Sequence, residues 1–137
     1  MKIHTTNYIN TFIEIADDCP TATGEIPPVK EGNKTVASIE YEMVKKNPYK
    51  YTSDDVLFYM FIEKNDLTKQ EIPVTRQEFF SKGHACFRAS PLTKRYGWGI
   101  HCNEEGKIAM SGSETKEYQK FVEDKKIAKV KAMRSKR

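Results

Sequence analysis

The stretch WGIHCNEEGKIAM, residues 98–110, constrains the chain most. Two short apolar segments, WGIHC and KIAM, flank NEEG, whose terminal glycine suits a type I turn closed by a bulge, so the stretch predicts a β-hairpin. Alternation along the first strand sets Trp98, Ile100 and Cys102 on one face and Gly99 and His101 on the other. A hairpin needs further strands or helices to bury its apolar face, and its neighbours supply them. HACFRAS at 84–90 alternates as a strand: His84, Cys86, Arg88 and Ser90 share one face, and the smaller apolar set shares the other. PLTKRYG then reads as the connection. Before it, TRQEFFSKG predicts a helix over 76–82, with Thr75 and Glu78 at capping-box spacing and Gly83 as its stop. After the hairpin, SETKEYQKFVED predicts a helix over 114–123, capped by Ser113 and with Tyr118, Phe121 and Val122 as its apolar stripe.

The first half is assembled from similar signals. Ile9, Thr11, Ile13 and Ile15 alternate with more polar residues, the period of a half-buried strand. Pro20, Gly24, Pro27, Pro28 and Gly32 mark 20–34 as a loop. Val36, Ile39, Met43 and Val44 fall at helical spacing until Asn47-Pro48 ends the run. In YTSDDVLFYMFIEKND, Thr52 or Ser53 followed by Asp54 and Asp55 makes a helix start, with acids complementing the dipole. The aromatic run after it also suits a buried strand, and helix over 53–65 is the reading taken. KIAKVKAM alternates as a strand or continues as a helix; strand is preferred. The sum is an α+β fold: an antiparallel sheet with helices packed on one face, in a single domain over 1–124, and a basic segment, 125–137, that forms part of the last element or a tail.

Cysteine usage and the apolar runs set the compartment. The longest run, VLFYMFI at 56–62, is far short of the roughly 20 residues that span a bilayer. No apolar signal region follows MKIHTTNYIN, and three widely spaced cysteines fit reduced thiols. These features predict a cytoplasmic protein without a membrane partner. The net charge is +4. Lys125, Lys126, Lys129, Lys131, Arg134, Lys136 and Arg137 carry seven positive charges with no acid among them, and subtracting those seven leaves −3 on the preceding residues. Such asymmetry indicates either an anionic partner such as nucleic acid or a solvated tail.

The densest chemistry lies in CFRASPLTKRYGWGIHC, residues 86–102. Arg88, Lys94, Arg95, Tyr96, Trp98 and His101 combine cations with aromatic surfaces, the mixture that holds phosphate or stacks on bases. Pairing of strands 84–90 and 98–102 would bring Arg88 and His101 together away from the core. Each residue also has a structural reading, Trp98 as core and Gly97 and Gly99 as turn or bulge residues. His84, Cys86, His101 and Cys102 lack the Cys-x₂₋₄-Cys spacing of zinc sites, so no metal is expected. Asp17-Asp18 and Asp54-Asp55 are explained by turn and capping duty. No complete nucleophile–base–orienter set is visible, so no catalytic residue and no cofactor are assigned.

The string FFSKGHACFRASPLTKRYGWGIH…EGKIAM, with TFIEIADDCP and YEM…NPYKYTSDDVLF before it and VKAMRSKR at the end, resembles a family of small, uncharacterised bacterial proteins, a domain of unknown function. The resemblance runs nearly end to end. It implies a single-domain cytoplasmic protein and brings no activity or site residues. The element pattern is also similar to that of YdhG-like α+β domains. Two functions follow from the residues. The first is a non-catalytic binding module for an anionic ligand (nucleotide, phosphate or nucleic acid) built on Arg88, Lys94, Arg95, Tyr96, Trp98 and His101. The alternative is a small enzyme using His101 or His84 as acid/base with Cys86 as nucleophile.

Overall fold

The computed structural model describes residues 5–21, 23–29, 35–65, 67–84 and 86–134. Gly32, Ala85, Lys136 and Arg137, on which readings above partly rest, lie outside them. The expected hairpin forms from β2 (Trp98–Cys102) and β3 (Ile108–Gly112), with Ile100 opposite Met110. Gly106 takes φ 78° at the turn, as the Asn-Glu-Glu-Gly sequence requires. Strand β1 (Thr11–Glu14) pairs antiparallel with β2, and β4 (Ala128–Lys131) pairs with the other edge of β1, giving the order β3-β2-β1-β4.

Helices fill the connections: α1 (Val36–Lys46), α2 (Ser53–Asn65), α3 (Ile72–Phe79), α4 (Pro91–Lys94) and α5 (Lys116–Glu123). The fold is α+β, as the sequence predicts. The 53–65 segment is a helix, and its start is fixed by reciprocal bonds: Asp55 N–H donates to Thr52 Oγ1 and Thr52 N–H to Asp55 Oδ2, both at 3.1 Å.

Two features of the sheet differ from expectation. The β1–β4 pair is parallel, with Ile13 opposite Val130, so the sheet is mixed. Helices also cover both faces. Ile13, Trp98, Ile100, Cys102, Ile108 and Met110 pack with Val44, Val56, Phe87 and Leu92 in the main core. On the opposite face Phe12 stacks on Phe121 and meets Tyr118 edge-on, so α5 closes that side. The exposed edge of β3 is shielded by the α1–α2 linker, where Tyr49 N–H donates to Ile108 O at 2.9 Å and Ile108 N–H to Tyr51 O at 2.8 Å.

Several boundaries are corrected. The strand expected at 84–90 is instead a 3-10 turn over Phe87–Ala89. Burial of Phe87 and the Thr93 hydroxyl, which donates to Phe87 O at 2.6 Å, fold the segment back on itself. The expected connection after it contains α4, whose N-cap Ser90 accepts from Leu92 N–H and whose first residue is Pro91. Helix α3 begins earlier than Thr75, with a proline in its first turn, and ends at Phe79 rather than at Gly83. Helix α5 is capped by Thr115 and not Ser113, because the Thr115 hydroxyl accepts from Tyr118 N–H.

Candidate functional site

Residues 90–97 make one wall of a cleft. Ser90 and Pro91 start α4, and the helix closes after one turn, with Arg95 N–H and Tyr96 N–H both donating to Pro91 O. Gly97 then turns the chain into β2 at φ 78°. A Cβ there would lie 2.2 Å from Thr23 O, so the position requires glycine on both counts. The second wall is the first turn of α1. Thr35 caps it through a capping box with Ser38, and Val36 and Ala37 N–H donate to no described residue. Between the walls is a cleft of about 420 Å³ lined by Thr35, Val36, Ala37, Pro91, Arg95 and Tyr96, with Pro28 at its rim. The Arg95 guanidinium lies over the Tyr96 ring at 5.9 Å, and no carboxylate among the described residues pairs with it.

Helix α1 also carries a buried acid. Glu40 is 1% exposed, one helical turn along α1 from Val36 and Ala37. Its Oε1 accepts from the Ser90 hydroxyl at 2.8 Å. Burial pushes its carboxyl up to about 7, and the Ser90 bond only partly opposes that shift.

The six residues singled out by sequence do not converge. Arg95 and Tyr96 line the cleft, and half-buried Lys94 ends α4 beside them. Trp98 is 6% exposed, packed against Tyr41, with its indole N–H donating to Glu25 O at 2.8 Å, and presents no open stacking face. Arg88 is engaged elsewhere: its Nε donates to Lys131 O at 2.7 Å and its carbonyl accepts from Met133 N–H. The expected pairing of Arg88 with His101 does not occur, because β2 pairs with β1 and β3 while Arg88 lies in the 3-10 turn on the main-core side.

His101 lies on the α5 face. Its ring stacks on Phe121 with centroids 4.2 Å apart, and Nδ1 is 2.7 Å from the Tyr49 hydroxyl. Burial lowers the imidazole below its ordinary value, with the Asp124 carboxylate acting in the opposite sense. Burial, helped by Glu117, raises the Tyr49 phenol. Tyr49 itself, at φ 58°, escaped the sequence reading; the one available signal was its place directly after the helix-ending Asn47-Pro48.

His84 stacks on Phe79 at 3.7 Å and its Nε2 contacts Phe79 O, while the Cys86 sulfur meets the Tyr8 hydroxyl at 3.5 Å. The proposed His–Cys constellation is therefore not assembled among these contacts. All three cysteines are free thiols, and burial pushes Cys102 up to about 12. Among the described residues no three His, Cys, Asp or Glu side chains gather as a metal site, and no helix is long and apolar enough to cross a membrane.

The fold and cleft define a small α+β protein with a half-open, cation-bearing recess between two helix starts. The chain belongs to DUF6157, a family of unknown function, whose model matches residues 3–137. No curated protein and no solved structure matches it.

Proposed function

We propose that this protein is a non-catalytic binding module that holds a phosphate-bearing ligand in the cleft between α1 and α4. The observation that carries the reading is Arg95, a cation that pairs with no carboxylate among the described residues, placed over Tyr96 at a recess also bordered by Val36 and Ala37, whose amides donate to no described residue. A guanidinium and helix-start amides both favour an oxyanion, and Tyr96 offers a ring edge or face to an attached base. A cleft of about 420 Å³ is in the range of small-ligand pockets.

Free phosphate, a nucleotide and a nucleic acid share this chemistry, and titration separates them. Amide chemical-shift titrations with sulfate, ADP and a single-stranded RNA should move the resonances of Val36, Ala37, Arg95 and Tyr96. Arg95→Ala should weaken binding about ten-fold and leave folding unchanged. Tightest binding to ADP indicates a nucleotide site, and tightest binding to RNA a longer interface. The basic C-terminal segment is the rival source of any anion affinity. Because β4 belongs to the sheet, that rival is tested by Lys125→Gln with Lys126→Gln and not by truncation. If this pair abolishes binding while Arg95→Ala does nothing, the cleft is not the site.

One observation favours an enzymatic second reading, the 2.7 Å Tyr49–His101 contact held by a left-handed tyrosine. Backbone strain at a hydrogen-bonded acid/base pair is a feature of active sites. That reading rests on His101 with Tyr49, and not on His84 or Cys86.

A further inference from the structure

The Glu40–Ser90 contact ties α1 to the start of α4, the two elements that wall the cleft. Glu40 shares a face of α1 with Val36 and Ala37, and Ser90 directly precedes Pro91 in the other wall. The carboxyl is nine-tenths buried or more, and Ser90 is its one hydrogen-bonding partner among the described residues. We infer that Glu40 couples the cleft to protons: a protonated Glu40 favours the anionic ligand, an ionised Glu40 opposes it, and proton and anion bind together. This inference rests on the cleft being the anion site.

The surroundings of Glu40 determine the sign. Helix α1 packs on α2, α4 and β3. The titratable groups carried by these elements and their flanks, with side chains described, are Asp54, Asp55, Tyr59 and Glu63 of α2, Lys94 and Arg95 at the end of α4, Arg88 in the 3-10 turn, and none on β3. Asp54 bonds Thr5 and Thr6, Asp55 pairs with Arg76, and Arg88 bonds Lys131 O. None of them, and none of Tyr41, Glu42, Lys45 and Lys46 on α1 itself, adds a charge interaction at Glu40. The influences on its carboxyl are burial first and the Ser90 hydroxyl second. An ionised Glu40 is thus a charge without a counter-ion among the described residues, in an apolar medium where its field is weakly screened. An anion one helical turn away meets that field directly. Burial brings the titration close to neutrality, so the coupling operates in an ordinary pH range. By linkage, whatever the proton does for the anion, the anion does for the proton.

Sulfate is the probe, because it keeps one charge state between pH 5.5 and 8.5. Two readouts decide: sulfate affinity from amide shifts across that range, and the Glu40 carboxyl midpoint from ¹³C-labelled glutamate, with and without sulfate. The expected results are an affinity about five-fold weaker at pH 8.5 than at pH 5.5 and a Glu40 midpoint that rises when sulfate binds. Glu40→Gln should bind sulfate equally at both ends of the range. If sulfate binds through Arg95 but neither its affinity nor the Glu40 midpoint responds, the coupling is overturned and the cleft stands. If wild-type protein shows no sulfate response at any pH, the cleft reading falls and the coupling falls with it. Should Glu40→Gln fail to fold, the wild-type midpoint alone decides.

Discussion

The Tyr49 hydroxyl hydrogen-bonds His101 Nδ1 at 2.7 Å, although Tyr49 holds a backbone conformation, φ 58°, that costs a tyrosine about 1–2 kcal/mol. The phenol is raised and keeps its proton, and in the tautomer that carries the ring proton on Nε2 it donates to Nδ1. A donor to the neutral ring adds to the burial that already lowers His101. Tyr49→Phe should therefore raise the His101 midpoint, read from imidazole proton shifts. The linkage sign follows from the direction of the shift. A histidine held below its ordinary 6.5 contributes stability above that value and loses it as pH falls through its folded midpoint. An unchanged midpoint in Tyr49→Phe would show that the contact does no electrostatic work.

Glu40 has the opposite sign. Its folded value is raised from 4.5 to about 7, so its contribution is fully present below about 4.5 and is lost as pH rises through about 7. The shift corresponds to at most about 3 kcal/mol. Urea denaturation should find wild-type protein less stable at pH 8.5 than Glu40→Gln, by roughly 1–3 kcal/mol. At pH 5 the two proteins should be close, since both carry a neutral side chain at position 40. A Gln variant that is less stable at both pH values would assign Glu40 a structural bond that glutamine cannot make.

The α5 face depends on one absent side chain. A Cβ on Gly99 would lie 2.5 Å from Phe12 Cζ and 2.6 Å from Tyr118 Cε2. Tyr118 cannot retreat freely, because its hydroxyl accepts from Ile15 N–H at 2.9 Å. Gly99→Ala should cost about 1–3 kcal/mol through overpacking. Thermal or urea unfolding measures this, and a cost below about 0.5 kcal/mol would mean that α5 shifts without penalty.

The hairpin was legible because both its signals are local: period-two alternation from Trp98, and an Asn-Glu-Glu-Gly turn. Helix α1 was legible for the same reason, with apolar spacing and a proline stop. The 84–90 segment misled because Phe87 between small or polar neighbours imitates alternation, whereas burial of Phe87 and the Thr93 hydroxyl, both non-local, fold it into a turn. The parallel β1–β4 pairing joins residues more than a hundred positions apart, and no nearby pattern announces it. At the site, Arg95 and Tyr96 stood out by composition, but the α1 wall did not. Glu40 was missed because a glutamate in an amphipathic helix ordinarily reads as solvent-facing; only the packed structure reveals its burial.

Arg88 separates scaffold from site. Its Nε donates to Lys131 O at 2.7 Å, and its own carbonyl accepts from Met133 N–H at 2.7 Å, so the 3-10 turn and the end of β4 hold each other. Arg88→Ala removes the side-chain half of this clasp and leaves the backbone half. A charged donor to a carbonyl contributes on the order of 1 kcal/mol where solvent competes for it. The loss should be local, because β4 is an edge strand whose outer end depends on the clasp. Hydrogen exchange should accelerate at Val130, Ala132 and Met133 while Ile100 and Met110 stay protected. Arg88→Lys should not restore protection, since an ammonium on a flexible stem does not reproduce the fixed Nε–H direction. Sulfate affinity should be unchanged in Arg88→Ala and reduced in Arg95→Ala. If instead Arg88→Ala abolishes sulfate binding while β4 exchange stays slow, Arg88 belongs to the anion site and the cleft has been drawn on the wrong side of α4.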